Sequence, residues 1–235
     1  MKIVGKLFCF LAILVFFSLP ANSYAYISQT NSSAYLVIGQ ADFISNSANQ
    51  GGGISAKGLD KPIGVNVYNS KMFIAEGSNN RVIIFNSIPT SNNVSADVVI
   101  GQADMTSGSA NQGGAVGANT LDTPRMAYVY NNKLFIVDRN NHRVLIFNSV
   151  PTSNNASADV VIGQPNMISN SANQGLPNPA ANTLSSPRSV LVADGKLIIS
   201  DWDNNRVIIF NSIPTSNNVS ADVVIGQADM TSGSA

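Results

Sequence analysis

The sequence predicts an all-β fold assembled from short antiparallel strands, and three observations carry that prediction. The chain repeats itself. "VIGQ" stands at 37–40, 99–102, 161–164 and 224–227, and "PTSNN" at 89–93, 151–155 and 214–218, at spacings of 62 or 63 residues. Each unit holds four apolar runs of five or six residues, β-branched or aromatic, bounded by Asn, Gly, Ser or Pro. No run is long enough for a helix, and the breakers between runs are too frequent.

Residues 1–25 read as a secretory signal peptide. Lys2 and Lys6 give a positive start, Leu7 to Leu19 form an apolar run, and Ser23 and Ala25 supply the small residues before a cleavage point. The run is shorter than the roughly 20 apolar residues of a membrane span. Cleavage removes the only cysteine, Cys9, so stability outside the cytoplasm must come from a core and not from disulfides. Residues 26–61 follow as an N-terminal spare strand, "AYLVIG" at 34–39, plus a long loop. Three sheets are then expected at 62–102, 124–164 and 187–227, with 228–235 opening another loop.

In the second sheet the strands are "MAYVY" (126–130), "KLFIVD" (133–138), "RVLIF" (143–147) and "ADVVIG" (158–163), here called a to d. "YNNK" and "ADGK" read as tight hairpins between a and b, where Asn and Gly accept positive φ. Strands b and c are apolar on both faces instead of alternating, so both faces must be covered. Sheets stacked face to face around an axis cover them, and the expected architecture is a β-propeller of four-stranded antiparallel blades. A parallel β-helix needs coils far shorter than this repeat. Four d strands accompany three a–b–c sets, and three blades are fewer than the 4–8 of known rings. The sequence therefore reads as three blades of a ring of six, a fragment of a longer frame; the alternative is a ring completed by association.

"DRNNHRVLIF" (138–147) and "DWDNNRVIIF" (201–210), each preceded by a Pro-led strand and a "K-L-[FI]-I" strand, resemble the NHL-repeat propellers; "EGSNNRVIIF" (76–85) departs at its first letter. The resemblance covers strands a to c of all three units. It implies one blade per unit and six blades per ring. The unit here is longer, with the excess between d and the next a, at 41–61, 103–123 and 165–186. Some NHL propellers are zinc lyases, and related six-bladed propellers are metal-dependent lactonases. Their ligand sets have no match in this segment.

Asp138/Arg143 and Asp201/Arg206 bracket the b–c turns. Recurrence in each blade favours turn-stabilising ion pairs over catalysis, which needs a group only once. Glu76 with Arg81 is expected to do the same work less well. His142 stands where the other copies have Asn80 and Asn205. One histidine without cysteine does not make a zinc site. No cofactor is expected, although the oxygen-rich turns leave calcium open. The d–a and b–c connections should share one end of the ring, and there the copies differ: Gly77, Arg139 and Trp202; Ile63, Arg125 and Arg188. Arg125, Arg139, Arg188 and Trp202 are the candidate ligand-binding residues, for an anion or by stacking on a carbohydrate. "ANQG" recurs in the long loops at 48–51, 110–113 and 172–175, read as ordered caps on that face with Leu59, Leu121 and Leu184 as anchors. The sequons at Asn93, Asn155 and Asn218 are placed on the opposite face.

Thirteen basic residues balance thirteen acidic ones, and no Lys/Arg cluster appears along the chain, which argues against nucleic acid. The expected function is a secreted or periplasmic, non-catalytic interaction scaffold for an envelope or extracellular protein or glycan. A metal-dependent hydrolase or lyase with its ligands in further blades is the first alternative. A structural cell-surface element is the second. Further expected partners are the remaining blades of the same chain, or a second copy.

Overall fold

The computed structural model describes residues 33–234, whose regular secondary structure is all β apart from short 3₁₀ turns. The signal-peptide segment 1–25 lies outside the described residues. Three four-stranded antiparallel sheets form three propeller blades. The first is β1 (Pro62–Tyr68), β2 (Lys71–Glu76), β3 (Arg81–Phe85) and β4 (Val98–Ile100). The second is β5 (Pro124–Tyr130), β6 (Lys133–Asp138), β7 (Arg143–Phe147) and β8 (Val160–Ile162). The third is β9 (Pro187–Ala193), β10 (Lys196–Asp201), β11 (Arg206–Phe210) and β12 (Val223–Ile225). In every blade the strands pair in chain order.

The a–b hairpins are tight because their central residues take positive φ: Asn69 and Ser70, Asn131 and Asn132, Asp194 and Gly195. The inner strands start two residues earlier than the apolar pattern suggests, on Pro62, Pro124 and Pro187, each beside a register shift that absorbs the proline. The outer strands are shorter than predicted. The N–H of Ala158 goes to Ala118 O in the long loop and not to strand c, and Gly163 (φ 91°) turns the chain away after Ile162.

Burial follows the stacking. β6 and β7 are buried along nearly their whole length, on both faces. β10 and β11 alternate between buried and partly exposed, because only one face of the third sheet has a neighbour. One core joins Phe73, Val82 and Ile84 of the first blade to Leu134, Ile136 and Leu145 of the second. A second core joins Phe135, Val144 and Ile146 to Val190, Leu197 and Ile208 of the third. The inner strands β1, β5 and β9 come side by side. Gly64 makes that approach possible, since a Cβ there would stand 2.7 Å from the backbone oxygen of Arg125.

Residues 34–39 do not form a strand among the described residues. Gly39 makes one parallel bridge to Gly58, and among the described residues no strand c lies beside the segment to pair with it. It nevertheless takes the place a d strand takes on the next blade. Val37 N–H donates to Asn92 Oδ1 at 2.8 Å, as Val99 N–H does to Asn154 (3.0 Å) and Val161 N–H to Asn217 (2.9 Å). In return Asn155 N–H donates to Val99 O and Asn218 N–H to Val161 O. The two asparagines of "PTSNN" are thus a clamp on the middle of the preceding outer strand.

Candidate functional site

The b–c turns are organised by buried ion pairs. Register sets Asp138 opposite Arg143, Asp201 opposite Arg206 and Glu76 opposite Arg81. Arg143 Nε donates to Asp138 Oδ2 at 2.8 Å, and both side chains are wholly buried. The same carboxylate accepts from Asn141 Nδ2 and from the N–H of Asp122. The guanidinium also donates to Met167 O, Gly117 O and Thr120 O. Arg206 repeats this set with Asp201, Met230, Ala180 and Thr183. Each arginine therefore fastens the long loop before its blade to the loop after it. Burial pushes the Asp138 and Asp201 carboxyls up, against the pull of their hydrogen-bond donors and of the paired arginines. Glu76 makes the whole set of contacts, to Arg81, Asn79 and the N–H of Asp60, by using both of its oxygens.

The other repeated letters serve the same framework. In "ANQG", Asn111 and Gln112 both take left-handed φ (50° and 58°). Asn111 exchanges amide hydrogen bonds with Asn141 of the b–c turn, while Gln112 Nε2 reaches Asn155 Oδ1 in the c–d loop. The same joints recur at Asn49/Asn79 and Gln50/Asn93, and at Asn173/Asn204 and Gln174/Asn218. The long loops are therefore not caps confined to one face. They run from the b–c turns to the c–d loops, because the short outer strand leaves the c–d loop free to fold back toward them. The sequon asparagines are built into these joints. In "VIGQ", the Gly takes φ near 90° and lies under the anchoring leucine; a Cβ on Gly101 would meet Leu121 Cδ1 at 2.5 Å. Gln102 Nε2 ties Asn80 O to Ser109 O, and Gln164 Nε2 ties His142 O to Ser171 O.

His142 belongs to this set. It occupies the left-handed position (φ 52°) that Asn80 and Asn205 hold in the other turns. Its Nδ1 accepts the N–H of Ser186 at 2.9 Å, as Asn80 Oδ1 accepts that of Thr123 at 2.8 Å. Burial lowers its pKa below the ordinary value; Asp203 opposes that shift and Arg139 adds to it. Among the described residues, no three His, Cys, Asp or Glu side chains converge where a metal ion could be held.

With the repeated letters assigned to the framework, the differing letters stand out, and several of them meet at the b–c end of the inner strands. Arg125 and Arg188 are the second residues of β5 and β9. Arg139 and Trp202 follow directly on β6 and β10. The Arg188 guanidinium lies over the Trp202 ring, 4.3 Å from its centroid, and Trp202 is 58% exposed. Burial lowers the Arg125 pKa, and repulsion from Arg139 and Arg188 lowers it further, so the three cations share one neighbourhood. Among the described residues neither Arg125 nor Arg188 donates a hydrogen bond to the protein. The Nε atoms of Arg125, Arg139 and Arg188 are screened from solvent yet unpaired. In the first blade Gly77 and Ile63 stand at these positions. A cavity of about 420 Å³ opens there, lined in part by Lys61, Gly77, Ser78, Asn80, Thr123 and Arg125.

A second apolar groove, of about 350 Å³, runs beside Trp202 past Val207, Ile225 and Gly226. It lies over Gly226, the residue whose counterparts Gly39, Gly101 and Gly163 are covered by Leu59, Leu121 and Leu184.

No family model matches the chain, and no curated protein matches it. Solved structures with a similar course include the nidogen/laminin complex, 14% identical with a TM-score of 0.43 over 74% of this chain and 51% of that one. A catalytically inactive virginiamycin B lyase from Staphylococcus aureus, solved with quinupristin, is 10% identical with a TM-score of 0.37 over 74% and 43%. A putative exported protein from Bacteroides fragilis is 18% identical with a TM-score of 0.37 over 66% and 36%. The chain spans about half or less of the length of these structures. The assignment of propeller blades rests on the sheet order, register and two-sided burial of the chain itself.

Proposed function

We propose that this chain belongs to a secreted or envelope-associated propeller of the NHL type, a non-catalytic scaffold that binds protein or glycan through its b–c end. The observation that carries this reading is a contrast between two classes of arginine. Arg81, Arg143 and Arg206 recur, one in each blade, and each bonds through all three of its nitrogens to groups of the fold. Arg125, Arg139 and Arg188 occur where the copies differ, and their buried Nε atoms are unfilled. Unfilled donors beside a half-exposed tryptophan suit recognition.

Binding of the mature chain to purified surface proteins and to a glycan array tests this. Saturable binding that falls in Arg188→Gln and Trp202→Ala, but not in Lys133→Gln at the hairpin end, supports the scaffold. Chemical turnover of a bound ligand, lost on adding a chelator, would place the protein with the metal-dependent hydrolases and lyases instead.

A further inference from the structure

Resting on the binding-scaffold reading, we propose that the ligand of the b–c end is an anionic polysaccharide, a sugar chain bearing carboxylate or sulfate groups. Three features specify it. The first is a concentration of positive charge made by folding. Arg125, Arg139 and Arg188 are separated in the sequence, but neighbouring inner strands and turns bring them together, with Lys61 on the rim of the adjoining cavity. Like charges held at mutual repulsion are relieved by a bound anion. The acids nearby offer less relief. Asp122 accepts from Thr123 Oγ1 and Asn140 Nδ2, and Asp203 faces Ser185 and His142.

The second feature is donor geometry. Planar guanidinium groups with open donor edges match a carboxylate or sulfate in two-point contact. The side chains are held ready: Arg188 is stacked on Trp202, and Arg139 is steadied by Nη1 donating to Asn140 Oδ1. The third feature is the tryptophan. It follows directly on a strand and is 58% exposed, and the part of its ring that Arg188 does not cover offers a flat apolar surface on which a pyranose ring packs. The cavity beside Arg125 has the Ser78 hydroxyl on its wall, which suits a sugar hydroxyl. An anionic peptide would satisfy the charges but brings no sugar ring to lay on the exposed part of Trp202.

The test is titration of the mature chain with three probes: oligogalacturonate, a sulfated glycan of heparin type, and neutral dextran. Binding of either anionic probe, weakened on the order of tenfold by each of Arg125→Gln and Arg188→Gln, is the expected result. The affinity should fall as salt rises, and Lys133→Gln should leave it unchanged. The two anionic arms show whether carboxylate or sulfate is preferred. Trp202→Phe should retain more affinity than Trp202→Ala, and thermal melts of all variants report any loss of folding. Binding of dextran alone, or of a protein at the same residues, would overturn the anionic-glycan proposal while leaving the scaffold reading intact. Failure of every glycan and every surface protein to bind would overturn both.

Discussion

His142 Nδ1 accepts the backbone N–H of Ser186 at 2.9 Å, joining the b–c turn of the second blade to the start of the third. The contact needs a lone pair on Nδ1, hence a neutral ring. Burial lowers the His142 pKa below its ordinary value of 6.5, so the folded state binds the proton less readily than the unfolded chain does. The contact's contribution is therefore complete above about pH 6.5 and is lost as pH falls through the lowered folded value. Asn at this position offers an oxygen in the same place, as Asn80 does to Thr123. His142→Asn should match the wild type near neutral pH and be the more stable by about 1 kcal/mol in mild acid. Paired denaturant melts across that range check it; parallel pH profiles for the two proteins would contradict it.

Asp138 and Arg143 form a wholly buried pair in which every partner is committed. Removing one member leaves a buried charge, together with donors or acceptors that cannot reach water. Arg143→Met should cost about 3–5 kcal/mol. The double change Asp138→Leu with Arg143→Met should cost less than the sum of the two single changes, because the orphaned charge disappears with its partner. Urea denaturation of the four proteins measures the coupling. Additive losses would mean that the pair acts through two separate sites.

The blade pattern was legible in the sequence because burial on two sides writes continuous apolar runs such as "KLFIVD" and "RVLIF", and because positive φ demands Asn or Gly in hairpins. The "DRNNHR" turn was legible as a salt-bridged turn for the same local reason: its partners lie five residues apart. The roles of "PTSNN", "ANQG" and "VIGQ" were not. Asn154 meets Val99 from 55 residues away, and Gln112 meets Asn155 from 43. Such pairings depend on how blades and loops stack, which no local pattern encodes. The placement of the c–d loops on a separate face failed on that account. Arg125, Arg139, Arg188 and Trp202 stood out only as letters that break the repeat. Their convergence, and the missing partners of the three arginines, needed coordinates.

The asparagine clamp gives a residue-resolved expectation. Val99 N–H lies on an outer strand and donates to the side chain of Asn154. Asn154→Ala should remove that acceptor and lower stability by about 1 kcal/mol. Amide exchange of Val99 should quicken by more than the global loss of stability explains, while Val161, clamped by Asn217, keeps its protection. Equal acceleration at both amides would mean that the clamp is not local.

The glycines of "VIGQ" answer to two constraints at once. Gly101 has φ 91°, and its missing Cβ leaves room for Leu121, which is wholly buried. Gly101→Ala should therefore destabilise by at least about 1–3 kcal/mol from backbone strain alone. Leu121→Ala should cost about 2–5 kcal/mol through the cavity it leaves. In the double variant the smaller side chain makes room for the new methyl, so the combined loss should fall short of the sum. Thermal unfolding of the set decides this, and strict additivity would show that the contact with Leu121 is not what the glycine serves.

The third blade presents an apolar face that its counterparts bury. Val223 and Ile225 of β12 are 42% and 55% exposed, whereas Val160 and Ile162, the matching residues of β8, are buried. A groove of about 350 Å³ beside Trp202 and Gly226 borders Ile225. Exposed apolar area of this kind favours association. The chain should therefore self-associate in a concentration-dependent way, and Val223→Lys with Ile225→Lys should shift it toward monomer without lowering the stability of the second blade. Sedimentation velocity over a range of concentrations distinguishes the cases. A wild-type chain that stays monomeric throughout and melts in one cooperative step would show that the face is tolerated in water and that three blades suffice as a folding unit.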